Sequence, residues 1–270
     1  MRPATLILRV GGGCDVDPEH LLDVFVEQRR RFVRVLERFT PEDWTGPTRC
    51  ADWSAHEVVR HLCDTTALMA GMADRALAAG FDPRSTPKDW LTASAGESPD
   101  ATLARLAATT DELRIVARAQ MIDGRKFDVA LPYGPMDWTV LTLHGFWDSW
   151  IHERDILLAR GAMHPTDGDA TVYATAYGLF IAAAVSSMFG DQVQHEELKL
   201  SGDGGGVFDL DGRGAVTLTV NRTTATAGPS ADEVADALAG RSRLAAALGD
   251  RSINSLALSR LADFFNPPVQ

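Results

Sequence analysis

Three cysteines in 270 residues (Cys14, Cys50 and Cys63) are too few for a disulfide framework, and the odd number leaves at least one thiol unpaired. A reducing compartment is expected. Basic residues are also scarce: 26 Lys+Arg stand against 37 Asp+Glu, a formal net charge of −11. Without a basic excess to offset phosphate charge, nucleic-acid binding is not expected. Long apolar runs are missing too, the longest falling short of the ~20 residues that span a bilayer. The opening MRPATLILRVGGGC has too short an apolar core for a signal peptide. No internal repeat or low-complexity tract interrupts the chain. What remains is 45% apolar and 23% charged, the balance of a globular protein of one large domain or two ordinary ones. The composition predicts a soluble, cytoplasmic protein that acts without a membrane; a small-molecule partner and a monomeric or homodimeric state are further expectations that composition does not itself supply.

Helix signals fill the first two thirds. Asp17-Pro18-Glu19 supplies an N-cap, a first-turn proline and an acid at the positive end of the dipole. Leu21, Leu22, Phe25, Phe32, Val35 and Leu36 then recur at helical spacing until Thr40-Pro41. Ser54-Ala55-His56-Glu57 is a capping box and predicts a helix over 55–79, stopped by Gly80. Ser98-Pro99-Asp100 opens a third helix that ends near Asp123-Gly124. A fourth covers 139–160 with Gly161 as its stop, and a fifth covers 169–189. Residues 126–138 read as a hairpin or loop excursion. Four long amphipathic helices and an accessory one predict an antiparallel bundle. After Gly190 the pattern turns to alternation in 197–200, 207–210 and 215–220 around a Gly202–Gly206 turn, followed by helices over 231–238 and 253–264. The expected fold class is mainly α with an α+β C-terminal part, divided into 15–190 and 191–270. The segment LILRV at 6–10 has strand character but no evident place.

Two helices carry the chemistry. His61 lies seven residues beyond the Ser54 cap, and His144, Asp148 and His152 follow one another at i, i+4 and i+8 on the fourth helix. An i, i+4 pair shares one helical face, as two ligands of one metal must. Asp148 and His152 with His61 from a facing helix make a two-histidine, one-carboxylate set that leaves a position open. Such a set suits catalytic zinc, and also iron or nickel. The bland reading of each histidine is a hydrogen-bonded core residue; for His144 a ligand or proton-carrier role stands beside it. Cys50 reads as a thiol near that site or a small buried hydrophobe, and Cys63 as packing. Asp155, three residues after His152, reads as a partner for a ligand imidazole, for Arg154, or for the surface.

The segment Trp44-Thr45-Gly46-Pro47-Thr48-Arg49-Cys50-Ala51-Asp52-Trp53-Ser54, followed by Val58-Val59-Arg60-His61-Leu62, resembles the N-terminal signature of the mycothiol-dependent maleylpyruvate isomerase family. That signature is a Trp, then Pro-Thr-x-Cys-x-x-Trp-Ser/Thr, then a helix with Val-x-His-Leu. The later Trp147-Asp148-Ser149-Trp150-Ile151-His152-Glu153-Arg154-Asp155 is similar to the family's Glu-x-x-x-His-x-x-Asp helix. The likeness spans about residues 20–265. It implies a DinB-like four-helix bundle followed by a small sterol-carrier-like α+β domain, and zinc held at the positions of His61, Asp148 and His152. The departure is Asp148, one methylene shorter than the family's glutamate. The helix closing in Leu238-Ala239-Gly240-Arg241 resembles the family's C-terminal Gly-Arg, which makes Arg241 the candidate for an anionic substrate group, against a solvated helix-end arginine.

The resemblance implies a zinc-dependent enzyme of the actinobacterial type, an isomerase or transferase with mycothiol as co-substrate. The thiol would add to the double bond of a maleylpyruvate-like acid, or transfer to an electrophile, with Arg241 and His144 as catalytic candidates. Two other readings stand beside it. One is a metal-dependent, thiol-independent lyase, cyclase or hydrolase, to which Asp148 points. The other is a non-catalytic binding or sensor module.

Overall fold

The computed structural model of the protein describes residues 5–9, 15–71, 80–82, 85–125, 137–165, 167–188, 195–212, 217–221 and 227–248. Two compact units divide the chain: Pro18–Pro165, and Met1–Asp17 together with Thr166–Gln270.

The first unit contains α1 (Pro18–Leu36), α2 (Pro41–Thr45), α3 (Ala55–Met69), α4 (Thr86–Ala93), α5 (Pro99–Ile122) and α6 (Trp138–Ala159). The capping box at Ser54 forms as the sequence predicts. Ser54 Oγ accepts from Glu57 N at 3.3 Å, and Glu57 Oε2 accepts from Ser54 N at 2.8 Å. Each such cap satisfies backbone donors that the first turn leaves free, worth about 1 kcal/mol. Thr40 makes a second capping box with Asp43, so Thr40-Pro41 both closes α1 and starts the short α2. α3 stops at Met69 instead of running to residue 79, because Gly71 takes a left-handed φ of 71° that ends the helix. α5 packs against α1 and α3, and α6 packs against the same two, which makes α1, α3, α5 and α6 a four-helix bundle. α6 is apolar nearly all round and is buried on almost every face from Trp138 to Leu157, as a helix of that composition must be.

The second unit holds β1 (Thr5–Arg9), α7 (Gly168–Met188), β2 (Glu196–Leu200), β3 (Gly206–Asp211), β4 (Thr217–Asn221), α8 (Ala231–Leu238) and α9 (Leu244–Leu248). Its antiparallel sheet runs β1-β4-β3-β2. The register stacks Leu198 beside Phe208 and Phe208 beside Val220, and aligns Leu210, Leu218 and Leu8 on the next row. All of these are buried, so alternate residues of every strand supply one apolar face. α7 packs on β3, β4 and α8. Gly204 has a φ of 85°, and a Cβ there would stand 2.6 Å from Cβ of Thr171, so the glycine turn between β2 and β3 lies directly against α7.

Three expectations change here. The division expected at residue 190 falls at 165, because α7 packs with the sheet and α8. The strand of uncertain place is β1, paired along its length with β4. The expectation that no apolar run reaches spanning length also needs correction. Gly168–Val185 in α7 is long and apolar enough to cross a membrane, but 89% of it is buried within the fold, the pattern of a core helix. Cys14, the excursion expected at 126–136 and the helix expected over 253–264 lie outside the described residues.

Candidate metal centre

α3 and α6 are neighbours in the bundle, and their facing sides bring three predicted residues together. Ser54 sets the start of α3, which places His61 two turns along, and the one-turn spacing on α6 presents Asp148 and His152 side by side. The Asp148 carboxylate lies between the imidazoles: His61 Nε2 is 3.5 Å from Oδ2 and His152 Nε2 is 3.4 Å from Oδ1. The three donor atoms lie within 4.8 Å of one another. Ligands at the usual zinc distances stand about 3.3–3.6 Å apart around a tetrahedral ion. Both nitrogen–oxygen spacings fall in that interval, and the donor chemistry matches, so these residues fit a divalent metal.

Around the three donors the supports are unequal. Asp155, fully buried, lies with Oδ2 3.1 Å from Nδ1 of His152, so that Nδ1–H donates to it and Nε2 is the nitrogen turned toward Asp148. Cys50 Sγ donates to the same Oδ2 at 3.1 Å and stands 3.6 Å from His152 Nδ1. The Arg49 backbone N–H donates to the Asp155 carbonyl at 3.2 Å, so the Pro47–Trp53 loop is tied to α6 at this point. His61 is held differently. Its Nδ1 is buried with no hydrogen-bond partner, and the Trp53 ring packs 4.9 Å from its own. Thr65 Oγ1, one turn beyond His61, is 3.4 Å from Asp148 Oδ2.

Charge follows from the same geometry. Burial alone would raise the Asp148 carboxyl, but the charges of His61 and His152 and their hydrogen bonds hold it well below the ordinary carboxylate range. Burial likewise opposes protonation of His152. Cys50, Asp148 and the bonds to Asp148 and Asp155 override it and push the imidazole well above its usual value. The pocket between these donors therefore favours a positive charge.

The remaining candidates are placed apart from this cluster or in the other unit. His144 is half-buried one turn before Asp148, with its ring 6.2 Å from that of Trp147. Burial, aided by His61 and opposed by Asp148, lowers its imidazole below the usual range. Cys63 is core packing: its Sγ faces the Thr102 carbonyl at 3.5 Å, and burial pushes the thiol up to about 12. Arg241 follows α8 in the second unit, where its Nη1 donates to the Ala239 carbonyl at 3.1 Å.

Sequence reasoning missed a second polar group inside the bundle. Glu153, fully buried, accepts from Gln28 Nε2 at 2.9 Å, from Arg31 Nε and Nη2 at 3.1 and 2.8 Å, and lies 3.2 Å from His164 Nε2. Gln28 Oε1 in turn accepts from Ser149 Oγ at 2.7 Å. Arg29, beside Gln28, is also buried. The available signal was the interruption of an apolar stripe, since Gln28 and Arg29 follow Phe25 at i+3 and i+4 on the face that continues to Phe32 and Leu36.

Bundle and cluster together define a helical-bundle protein with an interior His/Asp/His set able to hold a metal ion. Residues 25–157 match the family model described as the mycothiol maleylpyruvate isomerase N-terminal domain, which supports that family for the bundle. Two solved structures share the fold: a crystal structure of the mycothiol-dependent maleylpyruvate isomerase, at 12% identity, and one of a histidine-to-alanine mutant of that enzyme, at 11%. Each gives a TM-score of 0.56 and covers 84% of this chain and 91% of its own. Among curated proteins no sequence matches this chain significantly.

Proposed function

We propose that this protein is a metal-dependent enzyme that uses a low-molecular-weight thiol, mycothiol, as a nucleophile toward an unsaturated or otherwise electrophilic small acid. The observation that carries this reading is the convergence of His61, Asp148 and His152 within 4.8 Å inside a bundle of this family. His61 and His152 offer two neutral nitrogen donors, and Asp148 neutralises one charge of a divalent ion. Zinc is the first choice for such a set, with nickel or iron compatible. Bound there, the metal would supply the positive charge that stabilises a thiolate at neutral pH. Asp155 holds the His152 tautomer, and Trp53 covers both imidazoles, 4.9 and 6.2 Å from their rings, keeping water from that side. His144, kept neutral by burial, takes the thiol proton.

The reaction balances without a further reagent. The thiolate sulfur adds to one carbon of a cis double bond, and the π electron pair moves onto the conjugated carbonyl. Rotation about the resulting single bond follows, then the pair returns, the C–S bond breaks to release thiolate, His144 gives the proton back to the sulfur, and the trans acid and the thiol leave. With a substrate that carries a leaving group, the C–S bond instead stays, and the product is a thioether.

The test is metal analysis of the untagged protein followed by turnover of maleylpyruvate with and without mycothiol. Stoichiometric zinc and thiol-dependent conversion are expected. Stoichiometric metal with conversion indifferent to thiol would move the protein to the second reading, a thiol-independent lyase, cyclase or hydrolase. Asp148 favours that alternative, because its shorter side chain draws the ion toward α6 and changes the room at the open position. Asp148→Glu is accordingly expected to retain zinc, while Asp148→Asn weakens it.

Asp155→Asn tests the support of His152. Loss of the carboxylate on Nδ1 is expected to weaken zinc binding by about 10–100-fold, read by competition with a chromophoric chelator. Unchanged affinity would show that His152 is held by packing alone.

A further inference from the structure

Arg29 is 2% exposed, yet only one of its three nitrogens has a partner. Nη2 donates to Thr66 Oγ1 at 3.2 Å, while Nε and Nη1 are buried with none. Its guanidinium carbon lies 5.4 Å from the centre of the Phe25 ring, which offers attraction but no acceptor. A buried guanidinium without a carboxylate is costly, and native interiors pair such groups. The nearby acids are committed elsewhere: Glu153 to Arg31, Gln28 and His164, and Asp148 to His61 and His152. Consecutive residues of α3 link the two sites, since Thr66 touches Arg29 and Thr65 touches Asp148. Burial pulls the guanidinium down to about 10, partly offset by the charges of Cys63, Asp148 and Glu153, so it is still a cation at neutral pH.

We infer that Arg29 is the anion-binding residue of the bundle interior, and that its ligand is a carboxylate of the substrate. The inference rests on the proposed function and assigns the residue that would hold the acid group of its substrate. Arg29 is a buried cation with no carboxylate hydrogen-bonded to it among the described residues, and a substrate carboxylate would supply that partner. The free Nε and Nη1 lie on different edges of the guanidinium, so each offers one directed N–H to a carboxylate oxygen, which the freely rotating ammonium of a lysine does not. As a recognition group Arg29 is a binding residue set apart from the donor cluster.

Calorimetric titration of the zinc-loaded protein with maleate, in parallel with chloride, tests this without turnover. The wild type is expected to bind maleate at least tenfold more tightly than chloride. Arg29→Met is expected to lose at least tenfold in maleate affinity at unchanged zinc content, and Arg29→Lys to fall between. Melting temperature separates a binding role from a structural one. Replacing an unpaired buried cation by methionine should leave it unchanged or higher. Wild-type maleate affinity in Arg29→Met, maleate no tighter than chloride, or a lowered melting temperature with affinity retained would each overturn the inference. Arg29-dependent maleate binding in a protein with no thiol-dependent turnover would retain the inference and remove the proposed function. Thiol-dependent turnover without Arg29-dependent binding would do the reverse.

Discussion

Alanine at His61 or at His152 is expected to leave a helical protein stripped of zinc and at least about a thousandfold slower. Each change would remove one of the three donors proposed for the ion and leave two protein ligands to hold it. The lost charge stabilisation is worth several kcal/mol at the transition state, and each 1.36 kcal/mol is tenfold in rate. The helices survive because the bundle core is apolar: Phe32, Leu36, Val58, Val59, Leu62 and Leu106 pack together without needing the ion. Metal content by mass spectrometry and far-ultraviolet circular dichroism read the two halves of the result. Stoichiometric zinc in both variants would place the metal elsewhere. The two histidines should also differ. His152 is oriented by Asp155 on Nδ1, whereas Nδ1 of His61 has no hydrogen-bond partner among the described residues, so added imidazole should restore His61→Ala more readily than His152→Ala.

Glu153→Ala should produce the largest loss of stability. The carboxylate has no exposure, and its removal leaves Gln28 and His164 buried and Arg31 without its bidentate partner. Breaking a buried pair of this kind costs about 3–5 kcal/mol. At about 2–4 °C per kcal/mol for a chain of this size, the melting temperature should fall by about 10 °C. The acid limb of stability reports the same group. Burial raises the Glu153 carboxyl, but the bonds from His164 and Arg31 outweigh it and hold its folded value below the ordinary one. Its contribution is therefore complete above the unfolded value of about 4.3 and is lost as pH falls through the lower folded value. A melting temperature and acid limb unchanged by Glu153→Ala would show that Gln28, Arg31 and His164 find other partners at no cost.

Local signals were legible in the sequence because they act over a few residues. The Ser54–Glu57 box, the Ser98 cap and the Gly161 stop all sit where the helices begin and end. His61, Asp148 and His152 were legible because two of them share a helical face and the third follows a recognisable cap. The Glu153 network was not, since Gln28 and Arg31 reach it from α1 and His164 from beyond the end of α6, with no spacing to link them. Arg29 was hidden for the same reason: only packing decides that a guanidinium in an apolar stripe faces inward. α7 escaped assignment because a helix apolar on all sides carries no stripe to say which layer it joins. β1 escaped because strand register is set by a partner more than 200 residues away.

That last pairing fixes an order of events during synthesis. Thr5–Arg9 leaves the ribosome before Thr217–Asn221 and can complete its ladder only after that strand has followed. The whole bundle, Pro18–Pro165, is an insertion within the other unit, contiguous and rich in local contacts, and can fold while that unit still lacks most of its strands. Until β4 emerges β1 lacks its partner strand and is exposed to the pairing errors that open edges invite. An amino-terminal fusion or deletion would therefore disturb the sheet encoded by the last third of the chain before it disturbed the helices encoded next to it.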